Sequence, residues 1–340
     1  MRRVAAVLIT IVFVLIVIAP LAAWGGLALW FQFPGSDAAR AGAAGLFGLL
    51  GAATAVGLFT QARWPALATF AVAFFGLTLW WSTITPPDSG DWAPDVARQT
   101  TGKLDGDLLT LSDVRDFDWK SETDFTEHWG PRTYDLSKLK GLDLFLAYWA
   151  GPEMAHVIMS FEFDDGQFLA WSIEVRREKD GQFSPVKDAF KNSTIVYLAT
   201  TERDTIRLRT NIRGEDVRLY RLNTPPEQAR LLLLEYVAES NELAERPQFY
   251  NSITANCATT VVKLVRAAGG RMPFDWRLIV NGFLPGYLYA RGAVDTSIPL
   301  AELMERAKVS EKARAADRAP DFSQLIRVGV PLPARNGVLN

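Results

Sequence analysis

Three stretches without a charged side chain dominate the first quarter of this sequence: Val4 to Ser36, Ala41 to Thr60 and Trp64 to Ile84. A helix needs roughly 20 apolar residues to cross a hydrocarbon core, and inside lipid it has to satisfy its own backbone hydrogen bonds. Each stretch meets that length, so three transmembrane helices are predicted, at residues 4–32, 41–60 and 64–84. A cleaved signal peptide competes for the first stretch, because Arg2 and Arg3 precede an apolar run reaching Pro20-Leu21-Ala22-Ala23. That run continues well past the small residues and two more follow, which favours an anchor. Arg2, Arg3 and Arg63 place the N-terminus and the second connection on the cytoplasmic side, while Arg40 beside Asp37 argues weakly the other way. Three crossings bring the chain out on the outer face of a bacterial inner membrane, where Trp80, Trp81 and Trp92 fit an interfacial belt. Gly45, Gly48 and Gly51 would let the second span approach a neighbour closely.

After this anchor (residues 1–84), residues 85–112 read as a linker and entry segment, with Pro87 and Pro94 among polar residues, and residues 113–340 as one periplasmic domain. The formal charge of -2 and the lack of any basic block exclude nucleic acid as a partner. Two histidines and one cysteine in three separate contexts give no metal-ligand spacing, and no cofactor is expected. The single cysteine, Cys257, has no partner for a disulfide within the chain, and in an oxidising compartment an unpaired thiol needs a reason.

The domain reads as α+β. Residues 108–152 are rich in aromatics, Asp and Gly without a sustained period, and suggest a folded but loop-heavy segment. From Ala155, "AHVIMSFEFDDGQFLAWSIEVRRE" alternates on both sides of Asp164-Asp165-Gly166 and predicts a hairpin. The runs "STIVYLAT", "TIRLRTN" and "DVRLYRL" extend this to an antiparallel sheet of about five strands. A helix is predicted from Thr224-Pro225-Pro226-Glu227, with Thr224 as N-cap, to Arg246-Pro247. A second starts at or just before Cys257 and stops at Gly269-Gly270, and the tail from Ser297 carries one more amphipathic helix.

Cys257 thus opens a helix, with Asn256 or Thr254 as N-cap. Unpaired amides there place positive potential on the thiol, lower its pKa and can face a developing oxyanion. Packing is the competing role for such a cysteine. A thiol needs a base, and His128 and His156 are the only histidines. His128 lies in the loop-rich "TEHWGPRTYD", whereas His156 opens the first strand of the hairpin. If Phe163 and Gln167 bracket a three-residue loop, residues whose numbers sum to 330 stand opposite, which pairs His156 with Glu174. A carboxylate there would orient the imidazole; a shifted register would hand that role to Ser172 or remove it. Histidine on a strand, an acid on the next and cysteine on a later helix is the circularly permuted order of a papain-like enzyme. By that analogy Asn251, six residues before the cysteine, or Tyr250 would assist an oxyanion hole, with Asn256 beside it. Arg207 and Arg209 alternate with apolar residues, so on a strand they share a face, where they would either meet a phosphate head group or pair with surface carboxylates.

The segments "HWGPRTYDL", "AHVIMSFEFDDGQFLAWSIEVRREK", "ERDTIRLRTN" and "YNSITANCATT", in that order, resemble the Lnb N-terminal periplasmic domain family, whose members include a bacterial lipoprotein N-acyltransferase. The resemblance spans residues 113 to 329 and implies that His156 and Cys257 stand at the family's catalytic positions. It also brings in Arg132, Tyr134 and Asp135 as residues shaping the site. The namesake resembles a periplasmic domain followed by membrane helices, whereas here three helices precede the domain, so the substrate is less constrained than the chemistry. The expected activity is a thiol acyltransferase or hydrolase acting on acyl esters of phospholipid or lipoprotein. A papain-like amidase on cell-wall peptide and a non-catalytic envelope assembly module are the alternatives.

Overall fold

The computed structural model describes residues 2–252 and 254–334. The chain divides into two units: one takes the sequence as far as Pro87 together with Ser184–Asn192 and Phe249–Ser252, the other the remainder.

The first unit is built on three helices, α1 (Arg3–Gln32), α2 (Asp37–Gly57) and α3 (Arg63–Ser82), each long and apolar enough to cross a membrane. A π-helical turn, Val14–Ile18, lies within α1. Ser36 caps α2 by accepting a hydrogen bond from Ala39 N at 3.3 Å, so this helix begins ahead of its uncharged run. Of the three glycines expected to allow close packing, Gly51 is the one at a contact, since a methyl group there would collide with Ala22; Gly45 and Gly48 have open space beside them. A later piece of chain joins this unit through α4 (Pro185–Asp188) and the residues after it. The Phe190 ring lies 5.5 Å from Phe31 and 6.3 Å from Trp81. Gln32 Nε2 donates to Phe190 O at 2.7 Å, and Lys191 Nζ donates to Trp81 O at 2.7 Å and Ile84 O at 2.9 Å.

The second unit is organised by an eight-stranded sheet in the order β1 (Gly102–Asp105), β2 (Leu108–Arg115), β9 (Thr194–Thr200), β8 (Phe168–Arg176), β7 (Ala155–Phe163), β6 (Leu139–Tyr148), β10 (Asp216–Arg221), with β5 (Trp129–Asp135) paired to β2. A small ribbon pairs β3 (Asp118–Trp119) with β4 (Phe125–Thr126). The sheet is mixed, because β2 meets β9 in parallel at Arg115 and Thr200. It is also larger than the five antiparallel strands expected. The extra strands come from residues 102–148, where register shifts at Leu111/Val114 and Leu139/Gly141 interrupt the alternation that would have marked them. Part of the stretch that reads as a linker is therefore sheet, and Trp92, expected at the membrane exit, lies 5.0 Å beneath the Arg176 guanidinium and bridges to Glu178.

Three further elements differ from expectation. Residues 205–211, read as a strand, fall instead in α5 (Glu202–Arg207) and the π-helical turn it runs into, Leu208–Ile212. Thr201 caps this helix by accepting from Asp204 N at 3.2 Å. Helix α6 (Pro226–Glu245) starts at Pro226 without a side-chain cap, so Thr224 does not serve as one. The tail holds three short helices after α7 (Cys257–Ala267) and α8 (Leu284–Ala290): α9 (Leu300–Arg306), α10 (Ser310–Ala316) and α11 (Phe322–Leu325).

Helices cover both faces of the central strands, which is why β7 is buried along nearly its whole length. On one face Ile158, Phe145, Ala170 and Leu219 pack with Val309, Ala313 and Phe322 of the tail. On the other, Tyr236 of α6 lies 5.4 Å from Trp171 and 6.2 Å from Phe161. Each such aromatic contributes about 1.5–3 kcal/mol by leaving water. The buried acids of this core are paired with arginines, whereas Trp171 Nε1 and the Tyr236 hydroxyl are buried without a hydrogen-bond partner. Asp204 accepts from Arg115 at 2.8 and 3.0 Å, from Phe117 N at 2.9 Å and from Trp119 Nε1 at 2.7 Å. Arg327 reaches from the tail to Asp143 at 2.7 Å and Glu202 at 2.8 Å. The "ERD" of the α5 segment is thus structural: both of its acids hold arginines brought from other elements.

Candidate active site

Helix α7 begins at Cys257 because Asn256 forms a capping box: its side-chain oxygen accepts from Ala258 N at 3.0 Å and Thr259 N at 2.9 Å, while Thr259 Oγ1 accepts from Asn256 N at 3.0 Å. The cap is therefore Asn256, and its carbonyl oxygen is committed to that role. The thiol stands in the first turn, half-buried.

His156 lies near the start of β7, opposite Ala147 of β6. The hairpin has the register expected, since Phe163 N donates to Gln167 O at 3.0 Å and Ile158 faces Ser172, a pair summing to 330. Glu174 and Ser172 therefore share the face of His156. Nε2 of His156 is 2.7 Å from Ser172 Oγ and 3.1 Å from Glu174 Oε1, and Ser172 donates to that same carboxylate oxygen at 2.6 Å. Because Ser172 spends its proton on Glu174, it accepts from Nε2–H, which fixes the tautomer and leaves Nδ1 for the second partner. That partner is Cys257, which hydrogen-bonds the imidazole and also accepts from Val157 N.

The charges form one coupled system. Burial and Arg209 both pull the His156 pKa down, but the charge of Glu174 and the bonds to Cys257 and Glu174 outweigh them, and it is pushed up to about 9. Burial works to raise the Cys257 thiol, yet the His156 bond and charge and the Val157 N–H bring it below its ordinary value. Burial likewise opposes ionisation of Glu174, and His156 and Arg209 hold it well below the usual carboxylate range. Both shifts run toward a thiolate beside an imidazolium.

Arg207 and Arg209 do not share a strand face. Arg209 is buried and donates to Glu174 at 2.9 Å and Glu215 at 3.3 Å, so it secures the carboxylate behind the histidine. Arg207 donates to Asp317 at 2.7 Å and to Trp119 O. Arg132 pairs with Asp116 at 2.6 Å. Tyr134 stacks 5.3 Å from Phe163, at the far end of β7 and about 23 Å of strand from His156. Burial pushes its hydroxyl up to about 12. Asp135 caps a 3₁₀ turn by accepting from Ser137 N at 3.0 Å. Tyr250 and Asn251 belong to the helical unit, where Asn251 Nδ2 donates to Ala189 O at 3.2 Å. His128 is exposed between β4 and β5.

One contributor had no signal in the sequence. Asn281, buried, accepts from Ala155 N at 2.9 Å and donates to Ala155 O at 2.6 Å, so it fixes the peptide just before His156 from 126 residues away. Among the described residues no group of three or more His, Cys, Asp or Glu side chains is placed to hold a metal ion.

Residues 125–282 match the model of the Lnb N-terminal periplasmic domain family, a span that contains His156, Ser172, Glu174, Cys257 and Asn281. No curated protein and no solved structure matches the chain.

Proposed function

We propose that this protein, which carries an Lnb N-terminal periplasmic domain over residues 125–282 behind three candidate membrane helices, is a thiol acyltransferase or hydrolase acting on acyl esters of membrane lipid or lipoprotein. The observation that carries the reading is the hydrogen bond of Cys257, at a capped helix N-terminus, to a histidine whose far nitrogen is held by Ser172 and Glu174. In this reading the N-terminus is cytoplasmic and the second unit periplasmic, following Arg2, Arg3 and Arg63.

The thiolate of Cys257 attacks the ester carbonyl carbon. As the carbon–oxygen bond breaks, imidazolium His156 gives its Nδ1 proton to the departing alkoxide, leaving an alcohol and an acyl thioester. Neutral His156 then takes a proton from an incoming amine or water, which attacks the thioester. Thiolate leaves and the ion pair is restored. Glu174 stays ionised throughout and stabilises the imidazolium. An anchor in the layer that contains the acyl chains raises their effective concentration at such a site, which favours a lipid ester over a cell-wall peptide amide.

The test is mass spectrometry of the reconstituted protein after incubation with phospholipid or diacylated lipopeptide bearing a tagged acyl chain. A hydroxylamine-labile adduct on Cys257, lost in His156→Ala and absent in Cys257→Ala, is the expected result. No adduct together with a thiol that resists alkylation in the folded state would leave the cysteine as packing and favour the assembly-module reading.

A further inference from the structure

Between the sheet and α7 lies a cavity that opens to the outside. Its walls are apolar, formed by Leu144 of β6, Met159 of β7, Leu232 of α6 and the α7 stripe Ala258, Val261 and Val265. Alternation along β7 puts Val157 and Met159 on the face opposite His156. Val157 follows His156 and Ala258 follows Cys257, and both line the cavity, so it begins one residue from each member of the thiol–imidazole pair. Lining residues continue from Ala258 to Ala268, ten residues of helical rise or about 15 Å. One leaflet of a hydrocarbon core about 30 Å thick has that same depth, and so does a membrane acyl chain lying along it.

The mouth gives a second observation. Residues 271–284 contribute Leu278, Asn281 and Leu284 to the lining, while the same segment exposes Phe274 (77 %), Trp276 (56 %), Ile279 (59 %) and Phe283 (40 %) to the outside. The Trp276 and Phe283 rings are 5.3 Å apart, so they form one surface. A concentrated aromatic patch of this kind suits the membrane interface better than water, and Arg271 and Arg291, also on the lining, supply cations of the kind that meet phosphate at that depth.

We propose that this cavity is an acyl-chain site that draws one long chain out of the lipid layer through the 271–284 rim and holds it while its carbonyl carbon stands at Cys257 Sγ. The assignment rests on Cys257 being the acyl-carrying thiol. Each methylene that fits the site adds packing contacts with its walls, so a site filled over its whole length discriminates by chain length.

The full chain in nanodiscs, given p-nitrophenyl palmitate or p-nitrophenyl butyrate, is read for thioester on Cys257. Val265→Trp fills the cavity eight residues beyond the thiol. It should lower palmitoyl labelling at least tenfold and leave butyryl labelling within twofold. Equal loss of both, or loss of neither, overturns the acyl-chain site while the thiol chemistry stands. A second measurement avoids thiol chemistry and the folding of a Trp variant: Cys257→Ser protein in vesicles of phospholipid with a terminal diazirine on one acyl chain is photolysed and its crosslinked peptides are mapped. Crosslinks at 258–268 and 284–291 support the site even if no donor forms a thioester, in which case the thiol reading alone fails. Crosslinks confined to residues 3–82 overturn the site.

Discussion

Glu174→Gln removes one charge and keeps the side chain's shape, and it tests whether the carboxylate acts on the thiol through the histidine. At 3.1 Å from Nε2 and with an effective dielectric constant of about 20, the Glu174–His156 attraction has a ceiling of about 5 kcal/mol, or roughly four pKa units. Glutamine leaves burial and Arg209, both of which lower His156, opposed by the Cys257 bond alone, so the imidazole of the variant is less readily protonated at pH 7. The thiol then loses the imidazolium that offsets its own burial, and its titration moves up. Each unit of that movement removes tenfold of the thiolate at pH 7, and a Brønsted slope of about 0.4–0.5 returns roughly threefold through the stronger nucleophile. A rise of about two units, half the ceiling, slows alkylation at pH 7 roughly tenfold. The assay is the rate of iodoacetamide modification of Cys257 from pH 5 to 10, followed by mass spectrometry. In the native protein the midpoint lies below the ordinary value for a free cysteine, and in the variant it lies higher than in the native protein. The variant also leaves Arg209 with Glu215 alone, so its melting temperature is measured beside the rates. A folded Glu174→Gln protein with an unchanged rate and midpoint would refute the coupling.

Other outcomes follow from the same contacts. Because His156 is raised to about 9, its stabilisation is complete below the unfolded value of about 6.5 and is lost as pH rises through about 9, at most about 3 kcal/mol; the fall in melting temperature over that window should be absent in His156→Ala. Asn256→Ala removes the capping box at Cys257, costs about 1 kcal/mol and slows alkylation at pH 7; an unchanged melting temperature would count against the cap. Asp204→Asn strands buried Arg115 and should cost about 3–5 kcal/mol, seen as a large drop in melting temperature, without moving the pH midpoint of Cys257 alkylation. Gly51→Leu forces α1 and α2 apart, so the helical unit should lose protease resistance in detergent while Gly48→Leu keeps it.

The local elements of the site could be read from the sequence because they are set by neighbours. The Asp164-Asp165-Gly166 turn fixes the register that places His156, Ser172 and Glu174 on one face, and Asn256 followed by Thr259 fixes where α7 begins. The three apolar runs marked the candidate membrane helices for the same reason, since crossing lipid is a demand each stretch meets alone. Residues 205–211 misled because a short run with apolar residues at every second position also fits a short helix; the deciding signal was the cap, Thr201 three residues ahead of Asp204. Arg209 had to leave the supposed strand face before it could be found behind Glu174.

What the sequence determined, then, is each side chain's direction within its own strand or helix: a turn type, a capping residue and a hydrophobic period act over a few positions. Tertiary structure decided which elements meet. Cys257 and His156 are 101 residues apart, Asn281 reaches back to Ala155, Phe190 joins helices more than a hundred residues earlier, and the cavity has walls from β6, β7, α6, α7 and α8. Contacts of that range depend on how whole faces fill space against one another, and no local pattern encodes that packing.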